Sequence, residues 1–228
     1  MAPGEDRSAH RPGRAAAPIG GGNMKTERIN ALSPNAIQRA LEVLGAGGVV
    51  AFPTDTVYGL GTPAFAPASI ERLFEIKGRA QTKAIAVLIA DADELAKVAA
   101  AVSEAARKLA VHFWPGPLTL VLWRENSLPA ALSPNETIGV RVPDHAVAQA
   151  LLAAAGPMAV TSANLAGGAN AHSADEVLAQ LGGRIELVLD GGTTPGEAPS
   201  TVVDLTGDEP RLLRVGPVSE EDIRKALA

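Results

Sequence analysis

The feature that most constrains the fold is a series of short apolar runs that are each followed directly by a polar cluster. Residues 49–52 (VVAF) read as a buried strand, and the chain then passes straight into residues 53–56, PTDT. A plain connection needs little more than a glycine or an asparagine. In open α/β sheets, ligands bind where strands end. The pattern therefore predicts an α/β protein with a ligand cleft at its strand ends.

Helical patterns separate these apolar runs. Apolar residues recur at helical spacing after Ser33, Ser69 and Ser103, and a capping box opens another helix at Ser173. The patterns indicate about seven or eight strands and six or seven helices, with no repeat and no internal linker. We therefore expect one twisted mixed sheet flanked by helices, in a single domain over residues 24–228.

Residues 1–23 have a different character. They are rich in glycine, proline and alanine, lack an apolar centre of the signal-peptide kind, and end in Gly20-Gly21-Gly22. A segment with no periodic apolar pattern can bury little surface. We predict a disordered leader, with Met24 as the start of the folded protein.

Composition excludes several classes of protein. Hydrophobic residues make up 46% of the 228-residue chain but aromatic residues only 3%, so the core must be aliphatic. The absence of cysteine excludes disulfides, thiolate catalysis and zinc ribbons, and it fits a reducing compartment. A net charge of −5 gives no global attraction to nucleic acid, although it leaves a local basic patch open. No apolar run reaches the ~18 residues that a membrane span requires.

Familiar nucleotide and metal motifs are missing. The chain has no G-x-x-x-x-G-K-[ST] segment, and its Gly45-x-Gly47-Gly48 precedes a strand instead of following one. The four histidines lack metal-ligand spacing and read as surface or packing residues.

Two further polar clusters each allow two interpretations. Lys77-Gly78-Arg79, with Lys83 behind it, is either a basic cap that complements a helix dipole or a pair of converging cations. The segment TSAN, residues 161–164, is either a hydrogen-bonded turn or a set of donors for phosphate oxygens.

Isolated polar residues within strand-like runs raise the same question. Thr119 in GPLTLVL is either a strand former or a ligand. Arg141 in GVRVP interrupts an apolar strand, so it either binds an anion or forms an internal ion pair. Ser200 and Arg214 follow in later polar clusters. Cations and hydroxyls without a cysteine nucleophile suit a nucleotide or phosphate site, and phosphoryl or nucleotidyl transfer.

These clusters together resemble a known family. The motifs PTDTVYGLG, KGR with Lys83, WPGPLTLVL, GVRVPDH, TSANLAGG, DGG, PSTVVDL and LLRVG are similar, in this order, to those of the YrdC/Sua5 family, from Ile37 to Gly216. The resemblance implies a single-domain YrdC-like fold of the short form. It also implies a cytoplasmic L-threonylcarbamoyladenylate synthase, which makes threonylcarbamoyl-AMP and pyrophosphate from ATP, bicarbonate and L-threonine. A partner transferase then modifies adenosine 37 of tRNA.

The resemblance also implies a role for each site residue. The residues implied to surround ATP are Lys77, Arg79, Lys83, Thr119, Ser162, Asn164 and Arg214, with Lys77 and Arg79 as the catalytic pair. The residues implied to bind threonine are Thr56, Arg141, Thr161 and Ser200, with Thr54 and Asp55 shaping the same pocket. We expect no protein-made metal site and Mg²⁺ that arrives with the nucleotide. Ala80 stands where the family often has proline, and Ala166-Gly167 stands where it often has Ser-Gly.

Two other functions stay open at this point. The same fold could present a concave surface to double-stranded RNA or tRNA without catalysis, and a synthase could itself make a weak RNA contact. A related carbamoyl-adenylating domain would use carbamoyl phosphate and would have no need of threonine.

Overall fold

Ten strands in the described part of the chain form one mixed sheet that is flanked by six α-helices. This computed structural model describes residues 24–78, 83–196 and 198–228. Strands β1 to β10 are Glu27–Asn30, Val50–Phe52, Gly59–Pro63, Ala86–Leu88, Leu118–Trp123, Thr137–Arg141, Met158–Ser162, Leu187–Asp190, Thr201–Asp204 and Arg211–Arg214. Helices α1 to α6 are Ala36–Gly45, Pro67–Lys77, Glu104–Phe113, Ala146–Ala155, Ala174–Leu181 and Glu220–Leu227. Two short 3₁₀ helices are Ala92–Lys97 and Ala130–Leu132.

Local sequence signals set several helix ends. The side chains of Ser103, Ser173 and Ser219 each accept a hydrogen bond from a backbone N–H in the first turn of the helix that follows. Helix α2 begins at Pro67, a residue that lacks the N–H which the first turn leaves unpaired. It ends at Gly78, whose φ of +59° is the left-handed conformation that glycine adopts readily.

The sheet order is β1-β8-β2-β3-β7-β4-β6-β5-β9-β10. Four neighbouring pairs are parallel (β1 with β8, β2 with β8, β4 with β6, and β5 with β9), and the other five are antiparallel. Strands distant in sequence are therefore neighbours in space, which confirms the predicted mixed sheet.

The two faces of the sheet are covered unequally. On one face, α2, α3, α5 and α6 enclose the larger core, to which β5 contributes Leu118, Leu120 and Leu122. On the other face, α1 and α4 pack over β2, β7 and β8 through residues such as Ala40 and Leu151. No described helix contributes apolar side chains over β5, β6 and β9 on this second face. This part of the second face is therefore left uncovered by the described helices.

The structure differs from the sequence prediction in a few elements. Strands β1 and β3 were not predicted, and the helix predicted over residues 91–100 is the shorter 3₁₀ helix Ala92–Lys97. Residues 1–23 lie outside the described residues, so the disordered leader stays a prediction. Within the described residues, no helix has the length and apolar character needed to cross a membrane.

Candidate active site

A cleft of about 430 Å³ lies on the sheet face that carries α1 and α4, over the part that these helices leave uncovered. Its floor consists of small and apolar residues from neighbouring strands: Ala86, Val121, Gly139, Val160 and Val202. In the sheet register, Val121 lies opposite Gly139 and Ala86 opposite Val160, so these side chains form a continuous row. Because they are short, a flat apolar group can lie close to the sheet here.

The walls of the cleft are polar. Besides Tyr58, which is described below, the polar side chains that line it are Thr54, Thr56, Thr119, Arg141, Thr161, Ser162, Asn170, Ser200 and Arg214. All except Asn170 were singled out from the sequence, and most lie at or near strand ends. The structure thus brings together residues from six separate places in the sequence, although their individual roles stay predictions.

The loop after β2 explains the concentration of polar residues in PTDT. The Thr54 hydroxyl donates to the carbonyl of Val57 at 2.6 Å, accepts from the Thr56 N–H at 3.1 Å and lies 3.0 Å from the Thr56 hydroxyl. Thr54 and Thr56 are both buried. Side chain and backbone satisfy one another in this turn, which fixes the Thr56 hydroxyl at the wall of the cleft.

Arg141 forms the internal ion pair that its sequence context allowed, while its other interpretation, anion binding, stays a prediction. Its guanidinium donates to the Gly116 carbonyl at 2.9 Å and to the Thr56 hydroxyl at 3.0 Å, and it forms an ion pair with Asp55. It also lines the cleft. Burial lowers the pKa of Arg141, while the Asp55 carboxylate opposes that shift and the cation of Arg214 adds to it.

Arg214 is the second cation of the cleft. Its guanidinium donates to the Ser200 carbonyl at 2.9 Å and to the Ser200 hydroxyl at 3.1 Å. The Ser200 hydroxyl in turn lies 2.8 Å from the Thr119 hydroxyl. Burial lowers the pKa of Arg214. The structure therefore links Ser200, predicted for threonine, with Thr119 and Arg214, predicted for ATP, in one hydrogen-bonded chain.

Lys77 and Asn164 lie behind the cleft wall. The Lys77 ammonium is buried and donates to the carbonyl oxygens of Ser162 and Asn164, the latter at 2.7 Å, and to the Asn164 Oδ1 at 3.3 Å. The Asn164 amide donates to the carbonyls of Leu165 and Gly168 at 2.9 and 2.8 Å. Lys77 thus holds the segment that carries Ser162.

The structure says little about the positions of the other two predicted cations, Lys83 and Arg79. Lys83 is exposed and precedes Ala84, which lines the cleft. Arg79 lies outside the described residues, so the prediction that it acts with Lys77 stays a prediction.

Sequence reasoning missed one buried residue of the site. The Tyr58 hydroxyl donates to the Gly192 carbonyl at 2.7 Å and accepts from the Gly191 N–H at 3.2 Å. Burial raises the pKa of Tyr58. Tyr58 therefore ties the loop after β8 to the loop after β2. A single tyrosine within PTDTVYGLG gave no signal of this, because its partners are more than 130 residues away.

The arrangement can bind anions. The described residues that line the cleft supply cations, hydroxyls and an amide, and none of them is a carboxylate. Among the residues with a described position, no group of three or more His, Asp or Glu side chains could hold a metal ion. An α/β fold with such a cleft defines a class of protein whose open sheet face is suited to bind an anionic ligand.

The comparison with known proteins identifies the family. Residues 42–216 match the profile of the Sua5/YciO/YrdC family, whose description reads telomere recombination. The chain belongs to this family.

Relatives of two lengths match the chain. A Mycobacterium tuberculosis protein is 39% identical over 207 residues, which is 89% of this chain and 95% of its own. The threonylcarbamoyl-AMP synthase of Pyrococcus abyssi is 40% identical over 193 residues, which is 84% of this chain but 57% of its own.

The fold also matches a solved structure. The crystal structure of P. abyssi Sua5 complexed with L-threonine aligns with a TM-score of 0.83 and 39% identity, covering 89% of this chain and 59% of that one. The chain thus spans less than two thirds of the Pyrococcus protein, whose remaining part has no counterpart in this alignment.

Proposed function

We propose that the protein is an L-threonylcarbamoyladenylate synthase, a nucleotidyltransferase that makes threonylcarbamoyl-AMP and pyrophosphate from L-threonine, bicarbonate and ATP. The observation that carries the proposal is the presence of two cations in one cleft, Arg141 beside Thr56 and Arg214 beside Ser200. Two separate cations suit two anions, the carboxylate of an amino acid and the phosphates of a nucleotide. The P. abyssi relative is a threonylcarbamoyl-AMP synthase, and its structure holds L-threonine.

Arg141 is the proposed ligand of the threonine carboxylate. A guanidinium is planar and presents pairs of N–H donors that match the two oxygens of a carboxylate. The hydroxyls of Thr56, Thr161 and Ser200 line the same cleft and can bind the remaining polar groups of the amino acid. Burial of Arg141 supports this role, since a low-dielectric site strengthens a charge-assisted hydrogen bond.

The proposed ATP site lies beside it. Arg214, Thr119 and Ser162 line the cleft, while Lys77 and Asn164 support the wall from behind. The assignment of Arg79 and Lys83 rests on the motif resemblance. The apolar floor suits the flat base of the nucleotide.

The proposed reaction develops negative charge, which the two cations of the cleft can stabilise. The amine of threonine forms a C–N bond with bicarbonate, and water leaves to give a carbamate. A carbamate oxygen then attacks the α-phosphorus of ATP, and the bond from that phosphorus to the bridging oxygen breaks as pyrophosphate departs. Negative charge builds on the phosphate oxygens during attack, so a preorganised cation lowers the barrier.

Mg²⁺ is proposed to arrive with ATP. Hydroxyls and cations without a carboxylate cluster fit a metal that is already held by phosphate oxygens, and they do not fit a protein-made metal site. When bound in this way, Mg²⁺ would neutralise phosphate charge.

We also propose where the product goes. Threonylcarbamoyl-AMP is a mixed anhydride, so a separate transferase must accept it and pass the threonylcarbamoyl group to adenosine 37 of tRNA, in the cytoplasm. Direct contact of this protein with RNA is not required for that transfer.

Pyrophosphate release with single omissions tests the proposal. The purified protein with Mg²⁺-ATP should release pyrophosphate only when L-threonine and bicarbonate are both present, because without either one no carbamate faces the α-phosphorus. Serine should be a poorer substrate, since the missing methyl forfeits about 1–3 kcal/mol of apolar contact.

The same assay separates the alternatives. A carbamoyl-adenylating domain would respond to carbamoyl phosphate and ignore threonine. An RNA-binding module would release no pyrophosphate in any mixture, and it would retain duplex RNA with a steep dependence on salt. Release that does not depend on threonine would contradict the synthase.

A further inference from the structure

The ion pair between Asp55 and Arg141 joins two distant parts of the cleft wall. Asp55 lies in the loop after β2, and Arg141 ends β6, 86 residues later. Both side chains are almost fully buried, with exposed fractions of 11% and 7%. Removing two charges from water is unfavourable unless they are paired and hydrogen-bonded. Such a pair needs a reason beyond stability, because apolar residues of similar size serve stability equally well.

The pairing leaves part of the guanidinium available. Arginine has five N–H donors. In the described residues, three of them are used, by Gly116, Thr56 and Asp55. Nε carries one hydrogen and donates to Gly116, so the two unused hydrogens are one on each terminal nitrogen. Each of these donors can bind an oxygen of a carboxylate.

Asp55 makes this possible because it uses a single oxygen. Its Oδ1 accepts from Arg141 and from the backbone N–H of Asp144 at 3.1 Å. Its Oδ2 is buried and has no hydrogen-bond partner. A bidentate pair would occupy both terminal nitrogens or one edge of the guanidinium. The one-oxygen contact instead anchors the guanidinium while the second oxygen stays unused.

The backbone also fixes Asp55 itself. The Asp144 N–H that binds Oδ1 lies in the segment between β6 and α4, just after Arg141. On the other side, a Cβ added to Gly196 would lie 2.7 Å from the Asp55 carbonyl, so the loop after β8 presses against the Asp55 backbone. Asp55 is thus held by contacts besides its ion pair with Arg141. It therefore sets the position of the guanidinium.

We propose that Asp55 is a positioning residue for the amino-acid substrate: its Oδ1 holds Arg141 so that one N–H on each terminal nitrogen faces the substrate carboxylate. The proposal rests on the function proposed above, in which Arg141 binds threonine. Asp55 is not among the residues that line the cleft, so its proposed effect passes through Arg141.

Three substitutions at Asp55 separate position from charge. Asp55→Asn keeps an oxygen at Oδ1 but loses the charge, and its new amide lies where Oδ2 made no bond. Asp55→Glu keeps the charge but displaces the oxygens by one methylene. Asp55→Ala removes both the charge and the oxygens. Asp144→Asn is the matched control, since it removes a neighbouring exposed carboxylate and keeps the backbone N–H.

The measurement is the steady-state KM for L-threonine and for ATP, with melting temperatures. Asp55→Asn should raise the threonine KM by about fivefold, the loss expected when a charge-assisted hydrogen bond becomes a neutral one. Asp55→Glu and Asp55→Ala should raise it by about 50-fold to 100-fold, since a misplacement of about 1 Å costs that much. The ATP KM should stay within about twofold in all variants, and Asp144→Asn should match the parent.

Two results would overturn the proposal. If Glu restores threonine use better than Asn, the charge of residue 55 matters and its position does not. If melting temperatures fall while the threonine KM stays constant, Asp55 is structural only. Should Asp55→Ala fail to fold, the comparison of Asn with Glu still decides. A parent enzyme with no threonine requirement is a different result, which rejects the synthase and not the role of Asp55 in particular.

Discussion

Two buried cations serve the cleft in different ways. Arg141 lines the cleft and, within the described residues, keeps one unused N–H on each terminal nitrogen. Lys77 does not line the cleft, and its ammonium is directed to oxygens of the segment from Ser162 to Asn164. Both were predicted as ligand-binding residues. We expect Lys77 to influence catalysis at least in part through the loop that its ammonium holds.

We expect Lys77→Ala to lower turnover by about 10²-fold to 10³-fold, the usual loss when a preorganised contact of an active site is removed. The reason is that the Ser162 and Asn164 carbonyls lose their donor and the loop is no longer fixed. Single-turnover pyrophosphate release measures the effect.

Lys97→Ala is the control for Lys77→Ala. It removes an exposed lysine whose ion-pair partner is the neighbouring Glu94, and surface pairs of this kind contribute about 0–1 kcal/mol. Normal turnover in Lys77→Ala would show that the loop keeps its shape without the ammonium.

The individual elements show how far the sequence alone could lead. Apolar runs identified β2, β5 and β7, and serine caps identified the starts of α3 and α5, because these signals are local. Strand β3, GLGTP, has low intrinsic strand preference and exists because it pairs with β2 and β7 on its two sides. The 3₁₀ helix Ala92–Lys97 lies in a longer helical pattern, but the backbones of Ala99 and Ala100 pair instead with the segment at the end of β5.

Some features of the site could likewise be predicted from local sequence patterns, and others could not. Arg141 stood out because a charge interrupts an apolar strand, and Thr56 because hydroxyls follow one. The pairing of Asp55 with Arg141, and of Thr119 with Ser200, depends on contacts across more than 80 residues. No local pattern carries that information.

Close approach of backbones shapes one wall of the cleft, which gives a prediction for Gly216. An added Cβ would lie 2.5 Å from the Pro199 carbonyl and 2.7 Å from the Ser200 carbonyl carbon. We expect Gly216→Ala to displace the start of β9, and to destabilise the protein by about 1–3 kcal/mol. Because Ser200 moves with it, the KM values for threonine and ATP should both rise.

Gly207→Ala is the matched substitution. Its added Cβ has only the Glu209 carbonyl nearby, at 3.9 Å, so it should leave stability and both KM values unchanged. Denaturant unfolding and substrate titrations of the two variants make the comparison. A Gly216→Ala enzyme with parental KM values would show that the wall is adaptable.

At the scale of the whole molecule, one sheet separates two cores. The larger core lies under α2, α3, α5 and α6, and the smaller one lies under α1 and α4. Strands such as β2 supply residues to both, with Ala51 on one side and Val50 and Phe52 on the other. The two cores therefore share their scaffold, and we expect them to unfold together.

Leu151→Ala tests this coupling. Leu151 is fully buried in the smaller core, and its truncation should cost about 2–5 kcal/mol of unfolding free energy. Trp114 packs against the larger core on the opposite face. Tryptophan fluorescence and circular dichroism should shift by the same amount, while Val111→Ala, at an exposed position, should shift neither. Separate transitions from the two probes would show that the cores unfold independently.

The position of Arg214 at the end of the outermost strand has a consequence for synthesis on the ribosome. Translation proceeds from the amino terminus, so Thr56, Arg141 and Ser162 emerge long before β10, which in the described part of the chain pairs with β9 alone. A nascent chain that has formed the inner strands still lacks the second cation of the cleft. The complete cleft therefore forms late, when β10 joins the sheet, and we expect chains that end before β10 to bind ATP, the proposed ligand of Arg214, less tightly.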